Sequence, residues 1–277
     1  MTIELFGEIV SDDWAWLYEY FGITHCSPKQ VRDAIQNLPA GDDLVLEINS
    51  PGGDVWAGFE IYGLLQACRA GTEAHIIALA ASAATTVMCG CDTVLASPVA
   101  QIMIHQPSAY IEGSLDNDGA RHLKDYLDSV KASIINGYVI KSAGKANRKK
   151  FEQLVDDSTW MPAQDAQELG LVDGYLDLDD EAAAKITASG GVHVSNAAGL
   201  SPAPKALLSR YEAAVRAGQM AAAPGHPVPQ EPSEAPRTAA AAPSLDRTGV
   251  DLSNLTDVDL IGDWHLMAAI DLERARM

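Results

Sequence analysis

Apolar and polar positions change period repeatedly over the first 178 residues, and the changes divide the chain into short strands and helices. Leu5 to Val10 reads as a first strand. Ser27 before Pro28 supplies an N-cap and a proline at the first helical position, which predicts a helix to about Leu38. Pro39 to Asp43 is a loop. Leu44 to Ile48 is an apolar-rich run and predicts a strand of the buried parallel type. Asn49-Ser50-Pro51-Gly52-Gly53 reads as a turn. Beyond it Phe59, Tyr62, Leu65 and Cys68 recur at three-residue steps, with Val55, Ile61 and Leu64 between them. That spacing predicts a helix from Val55 to Ala70 with a wide buried face, stopped by Gly71.

Ala74 to Ala80 is the next predicted strand, Ser82 to Gly90 a short helix, and Thr93 to Ala96 and Gln101 to His105 two more strands. A long helical stretch follows from Leu115 to Ser142, its apolar face marked by Leu123, Leu127, Val130, Ile134 and Ile135. Shorter helices are predicted at Arg148 to Val155 and Ala163 to Leu169, and a closing strand at Leu171 to Leu176. Strands alternating with helices imply βαβ units and a mostly parallel sheet, hence an α/β fold.

The pattern fades from about Ser195. Residues 221–245 hold 8 Ala and 6 Pro, too few large apolar side chains to pack a core. The expected organisation is a folded domain over 1–178, a low-complexity and largely disordered linker over 179–250, and a short amphipathic helix within 251–277. That last helix would present Leu260, Trp264, Met267 and Ile270 to a partner surface. A shorter helix is predicted from Ala206 to Arg216.

Composition narrows the classes. A length of 277 residues with 47% apolar content is enough for one sizeable core and an appendage. No run reaches the roughly 18 apolar residues that span a bilayer. The first residues lack a basic segment followed by an apolar one, so a cytoplasmic site is expected. Net charge is −19, and residues 1–100 hold 13 acidic against 3 basic side chains, which disfavours nucleic acid as a partner. The one basic cluster is Lys141, Lys145, Arg148, Lys149 and Lys150, read as a solvated junction or a contact for an acidic neighbour. Cys26, Cys68, Cys89 and Cys91 lack zinc-ligand spacing and read as buried thiols.

The chemistry concentrates in two apolar runs after Pro51-Gly52-Gly53. Ser82 lies among small residues, Ala80-Ala81-Ser82-Ala83-Ala84, which permit a tight strand-to-helix turn that exposes a hydroxyl. Helix N-capping is the ordinary use of such a serine. His105 ends Ile102-Met103-Ile104-His105 and could serve as the base that a hydroxyl nucleophile needs. Gly53 lets backbone approach a substrate closely, and its N–H with that of Ala83 would suit an oxyanion.

Asn-Ser-Pro-Gly-Gly, Ala-Ala-Ser-Ala and Met-Ile-His-Gln-Pro, in this order, resemble the Clp protease proteolytic subunit family of serine peptidases. Ala163 to Asp173 is similar to that family's final helix and strand. The likeness covers about residues 1–178 and implies a crotonase-like spiral of β-β-α units with a long handle helix. It also implies Ser82 as nucleophile, His105 as base, and Gly53 and Ala83 as oxyanion donors.

The third catalytic member stays open. Aligning Trp160 and Ala163 with the family puts Ser158 where its acid is expected, with Asp157 one residue away and Asp156 two. Asp157 is the first choice; Asp156 and no carboxylate are the alternatives. In the family the stretch from Gln106 to Gly113 would pair with an extended substrate backbone.

The resemblance further implies a homo-oligomer, a heptameric ring or stacked rings, with a protein or peptide substrate and no metal or organic cofactor. The tail, the altered acid region and Ala78 in place of a usual glycine resemble the phage branch, whose head maturation proteases process capsid or scaffold proteins. A housekeeping subunit fed by a separate ATPase is the alternative; this chain has no Gly-x-x-x-x-Gly-Lys-[Ser/Thr] loop of its own. Three other readings are an acyl-CoA enzyme of the same fold, an inactive assembly protein, and a serine–lysine peptidase using Lys124, Lys131 or Lys141.

Overall fold

A computed structural model describes residues 1–111, 114–176 and 204–226. The chain forms two compact units, Met1–Ser209 and Arg210–Met277. In chain order the first begins β1 (Thr2–Ile9), α1 (Asp12–Tyr20), β2 (His25–Cys26), α2 (Pro28–Gln36), β3 (Leu44–Gly53), α3 (Val55–Ala67) and β4 (Thr72–Ala81). It continues α4 (Ala83–Met88), β5 (Thr93–Ala96), β6 (Gln101–Ile104), α5 (Asn117–Lys141), α6 (Arg148–Asp156), β7 (Thr159–Pro162), α7 (Ala163–Glu168) and β8 (Gly174–Tyr175). Helix α8 spans Pro204–Arg216.

The sheet runs β2-β1-β3-β4-β5-β8, all parallel, as the alternation of strands and helices predicts. β3 buries Leu44, Leu46 and Ile48 almost completely, each contributing about 1.5–3 kcal/mol of apolar transfer free energy. Its other face is only half-buried, because Glu47 breaks the apolar run. The strand also extends through Pro51-Gly52-Gly53, so the predicted turn is the end of a strand.

β4 changes partner along one edge. Glu73 to Ile76 pair with β5, whereas Leu79 to Ala81 pair with β6. The switch coincides with a register shift against β3, where Ile48 faces Ile76 but Ser50 faces Ala80. β6 then pairs antiparallel with β7, Ile104 facing Thr159. The antiparallel strand β7, helix α1 and strand β2 carry no strong periodic signal and are absent from the pattern-based prediction.

Side-chain caps set three of the helix starts. Asp54 accepts from the Trp56 and Ala57 amides at 2.7 and 2.9 Å, Asp116 from Gly119 at 2.8 Å, and Asn147 from Lys150 at 2.9 Å. The long helix α5 is anchored at its C-terminal end by Lys141. Its Nζ donates to the Asp92 carbonyl at 2.9 Å and the Asp173 carboxylate at 2.8 Å. Lys141 is thus a nearly buried clamp, at 7% side-chain exposure, rather than part of a solvated basic face.

Cys26, Cys89 and Cys91 are buried free thiols and Cys68 is half-buried. Burial pushes the Cys26, Cys89 and Cys91 thiols up to about 12, so all three stay protonated near neutrality. Among the described residues no helix is long and apolar enough to cross a membrane. In the second unit the Tyr211 hydroxyl accepts from the Ala223 amide at 2.9 Å and bonds the His226 carbonyl. Local structure therefore persists into the start of the Ala/Pro-rich stretch. The predicted terminal helix lies outside the described residues.

Candidate active site

β4 ends at Ala81 and α4 starts at Ala83, leaving Ser82 to make the turn alone at φ 54° and ψ −125°. A non-glycine residue in such a conformation costs about 1–3 kcal/mol and persists only where its surroundings over-determine it. Here they do. The Ser82 amide donates to the Met103 carbonyl of β6 at 2.8 Å. The Ser82 carbonyl accepts from the Thr85 amide at 2.9 Å and the Thr85 hydroxyl at 2.5 Å.

The end of β3 forms the floor of this turn. A Cβ on Gly52 would stand 2.6 Å from the Ala81 oxygen, 2.7 Å from Ser82 Cβ and 2.9 Å from the Ala83 nitrogen. Gly52 also sits at φ +93°, so both space and backbone require glycine. A Cβ on Gly53 would come within 2.1 Å of the Ile9 oxygen in β1. The Gly52–Gly53 backbone therefore packs between β1 and the turn at Ser82.

His105 follows β6 directly, and the pairing of Ala81 with Met103 brings it to Ser82. The Ser82 Oγ to His105 Nε2 distance is 2.8 Å. Ser82 makes no side-chain cap bond to α4, so N-capping does not account for it. Burial is the cause that pushes the His105 pKa below the ordinary histidine value. The imidazole is consequently neutral at pH 7, with a lone pair to accept the Ser82 proton.

The acids lie elsewhere. Asp157 caps the C-terminus of α6, is solvent-exposed, and makes no side-chain hydrogen bond among the described residues. Asp156 pairs with Lys131. The structure brings neither to His105, because α6 runs through Asp156 and holds both carboxylates at the helix end. Continuing the β6–β7 register by one position sets His105 beside Ser158, which has φ +50°. Among the described residues Ser82 is the one hydrogen-bond partner of the His105 ring. Of the six other histidines, His75 pairs with Glu73 and His25 bonds the Ile23 carbonyl at 3.0 Å. Among the described residues no cluster of His, Cys, Asp or Glu could hold a metal ion.

The sequence model described as Clp protease matches residues 34–178. The ATP-dependent Clp protease proteolytic subunit 1 of Chlamydia muridarum is 36% identical over 159 residues, 53% of this chain and 80% of that protein. Its namesake in Chlamydia trachomatis serovar D shows the same identity and coverage. The one in Chlamydia pneumoniae is 34% identical over 159 residues, 53% of this chain and 81% of its own length.

The chain belongs to the Clp protease family.

It is a serine-type peptidase of Clp fold, as the ordered motifs implied, and the acyl-CoA reading lapses. Two side chains linked by hydrogen bonds to the Ser82 backbone escaped sequence reasoning. Thr85 is one helical turn past Ser82 but looks like a routine helix residue, and Tyr138, which bonds it, lies 53 residues away on α5. No local signal connects them.

Replacing Gly52 by Ala is expected to lower kcat/KM for peptides at least about 30-fold, since the added methyl must displace Ser82 or Ala83. Steady-state kinetics on protein whose circular dichroism matches wild type checks this. Unchanged activity would mean that the turn at Ser82 does not depend on close approach of β3.

Proposed function

We propose that this chain is an endopeptidase in which Ser82 and His105 carry out acyl transfer. The observation that carries the reading is the 2.8 Å contact between Ser82 Oγ and His105 Nε2 at a strained turn. His105 Nε2 takes the Ser82 proton as Oγ attacks the scissile carbonyl carbon. The C–N bond then breaks, and the same proton passes to the departing amine. Water, deprotonated by His105, hydrolyses the acyl-enzyme and restores the Ser82 hydroxyl.

The Gly53 and Ala83 amides are the proposed oxyanion donors. Asp54 N–H is committed to the Ile9 carbonyl on the β1 side at 2.8 Å. Alternation of amides along an extended strand turns Gly53 N–H toward the opposite edge, where Ser82 lies. No cofactor is required for these steps.

His105 is proposed to work without a carboxylate partner, with Ser158 occupying the adjacent position. Its lowered pKa supports this: burial alone keeps the ring neutral, and no negative charge opposes that effect.

For the substrate, we propose capsid or scaffold proteins cleaved during head maturation, with residues 179–277, beyond the family match, as a targeting or self-cleaved segment. The assembly proposed is a homo-oligomeric ring. A second reading is a general proteolytic subunit served by a separate ATPase, favoured by the likeness to the Chlamydia proteins, which are ATP-dependent Clp protease proteolytic subunits.

Intact-mass analysis of wild type and Ser82→Ala, with and without a fluorophosphonate, tests the reading. Wild type is expected to gain one label and to release tail fragments; Ser82→Ala is expected to do neither and to lose at least about 10³-fold in peptidase activity. A labelled wild type with an intact tail, and activity on folded protein only when an ATPase is added, would favour the second reading. An unlabelled wild type would sink the nucleophile assignment.

The acid limb of the kcat/KM profile is expected below the ordinary histidine value of about 6.5. A lowered pKa keeps the base unprotonated further into acid, so activity falls only as pH drops through the depressed value. A limb above that value would indicate a carboxylate stabilising imidazolium.

Ser158→Asp is expected to raise kcat at least about tenfold by orienting His105, whereas Asp157→Ala stays within about twofold of wild type. A large loss in Asp157→Ala would assign the third role to Asp157 after all.

A further inference from the structure

The carbonyl of Ser82 is held by a side chain that is itself held from a distant helix. Thr85 Oγ1 donates to the Ser82 oxygen at 2.5 Å and contacts the Tyr138 hydroxyl at 2.5 Å. A threonine hydroxyl has one proton, and a carbonyl can only accept. The Thr85 proton is therefore committed to Ser82, and Tyr138 must donate to Thr85. The direction of the whole chain is fixed: Tyr138 O–H to Thr85 O–H to Ser82 C=O.

Each member is immobilised. Thr85 is 0% and Tyr138 1% exposed. The Tyr138 ring lies 5.7 Å from the Phe151 ring of α6. One turn beyond Tyr138, Lys141 clamps the end of α5 to the Asp92 carbonyl and Asp173. Burial raises the Tyr138 phenol well above its ordinary pKa, so it remains a donor throughout the working range. Tyr138 touches neither Ser82 nor His105 through any hydrogen bond.

We propose that Tyr138 and Thr85 are positioning residues for the nucleophile, a buried relay that locks the strained Ser82 backbone in the conformation that aims Oγ at His105. The proposal rests on Ser82 being the nucleophile. It deepens that reading by making α5, through one phenol, part of the catalytic geometry. A relay of two buried hydroxyls is polarised along its length and loses more than one ordinary hydrogen bond when broken at its centre. Breaking it at Thr85 removes the contact to Ser82. Breaking it at Tyr138 leaves that contact but strips Thr85 of its donor.

The test is the rate at which a fluorophosphonate labels Ser82 Oγ with loss of fluoride, together with peptide kcat and KM. It covers wild type, Tyr138→Phe, Thr85→Val, Thr85→Ser and the Tyr138→Phe/Thr85→Val double variant, each confirmed as folded by circular dichroism. Tyr138→Phe is expected to lower labelling rate and kcat about 3- to 10-fold, and Thr85→Val about 10- to 50-fold, with KM within about twofold. The acid limb should stay in place because His105 is untouched. Thr85→Ser should retain wild-type rates within about twofold, since it keeps the hydroxyl.

The double variant should be no slower than Thr85→Val by more than about twofold, because the phenol acts only through Thr85. Wild-type labelling rates in Tyr138→Phe and Thr85→Val, or losses that multiply in the double variant, would overturn the relay while leaving Ser82 as nucleophile. Failure of wild type to label would overturn both readings together.

Discussion

The backbone of Ser82 is the point on which the other parts of the site converge. A serine at φ 54° and ψ −125° does not hold that conformation by preference. It is held by a β6 carbonyl on its amide, two Thr85 donors on its carbonyl, and a glycine beneath it that leaves no room to relax. Each support comes from a different element, so no single local segment could produce the turn. The functional consequence is directional. With the backbone fixed, the hydroxyl has one good partner, and that partner is His105.

The placement of His105 depends in turn on how β4 uses its edge. A strand that kept one neighbour over its whole length would leave β6 elsewhere, and with it the base. The register shift between Ile48 and Ser50 against Ile76 and Ala80 allows β4 to release β5 and take up β6 just before Ala81. The sheet irregularity thus has the same origin as the active site. It brings the C-terminal ends of β3, β4 and β6 together, where parallel α/β sheets ordinarily bind their ligands.

Much of this was legible in the sequence, for identifiable reasons. The parallel core strands announced themselves as apolar runs, and α3 and α5 through helical spacing over more than ten residues. Ser82 and His105 stood out because the small residues around the serine and the apolar run ending in histidine fall in a motif order that resembles the Clp family; alone, each pattern has an ordinary structural use. What failed was non-local. Glycines at the end of β3 look like a turn in one dimension, and only the approach of Ser82 and Ile9 makes them a strand end. β7 reads Thr-Trp-Met-Pro, a short stretch closed by a proline, and only its antiparallel pairing with β6 makes it a strand. Tyr138 sits among the apolar positions of α5 and reads as core; its hydroxyl acquires meaning only from Thr85.

The acid region shows the same limit from another side. Counting residues before Trp160 puts carboxylates within one or two positions of the family's acid, which is close on paper. One position at a helix end, however, is a rotation of about 100°. α6 spends Asp156 on Lys131 and leaves Asp157 exposed at its C-cap, and the chain turns through Ser158 before β7 begins. In the proposed mechanism the base is then governed by desolvation rather than by an opposing charge. Burial keeps imidazole neutral and ready to accept a proton, but it also destabilises the imidazolium that acceptance creates. In the proposed mechanism such a site gains readiness of the base and loses transition-state charge stabilisation, which shifts the catalytic demand onto exact aim of the hydroxyl and onto the oxyanion donors. In that mechanism the constrained turn at Ser82 supplies the aim.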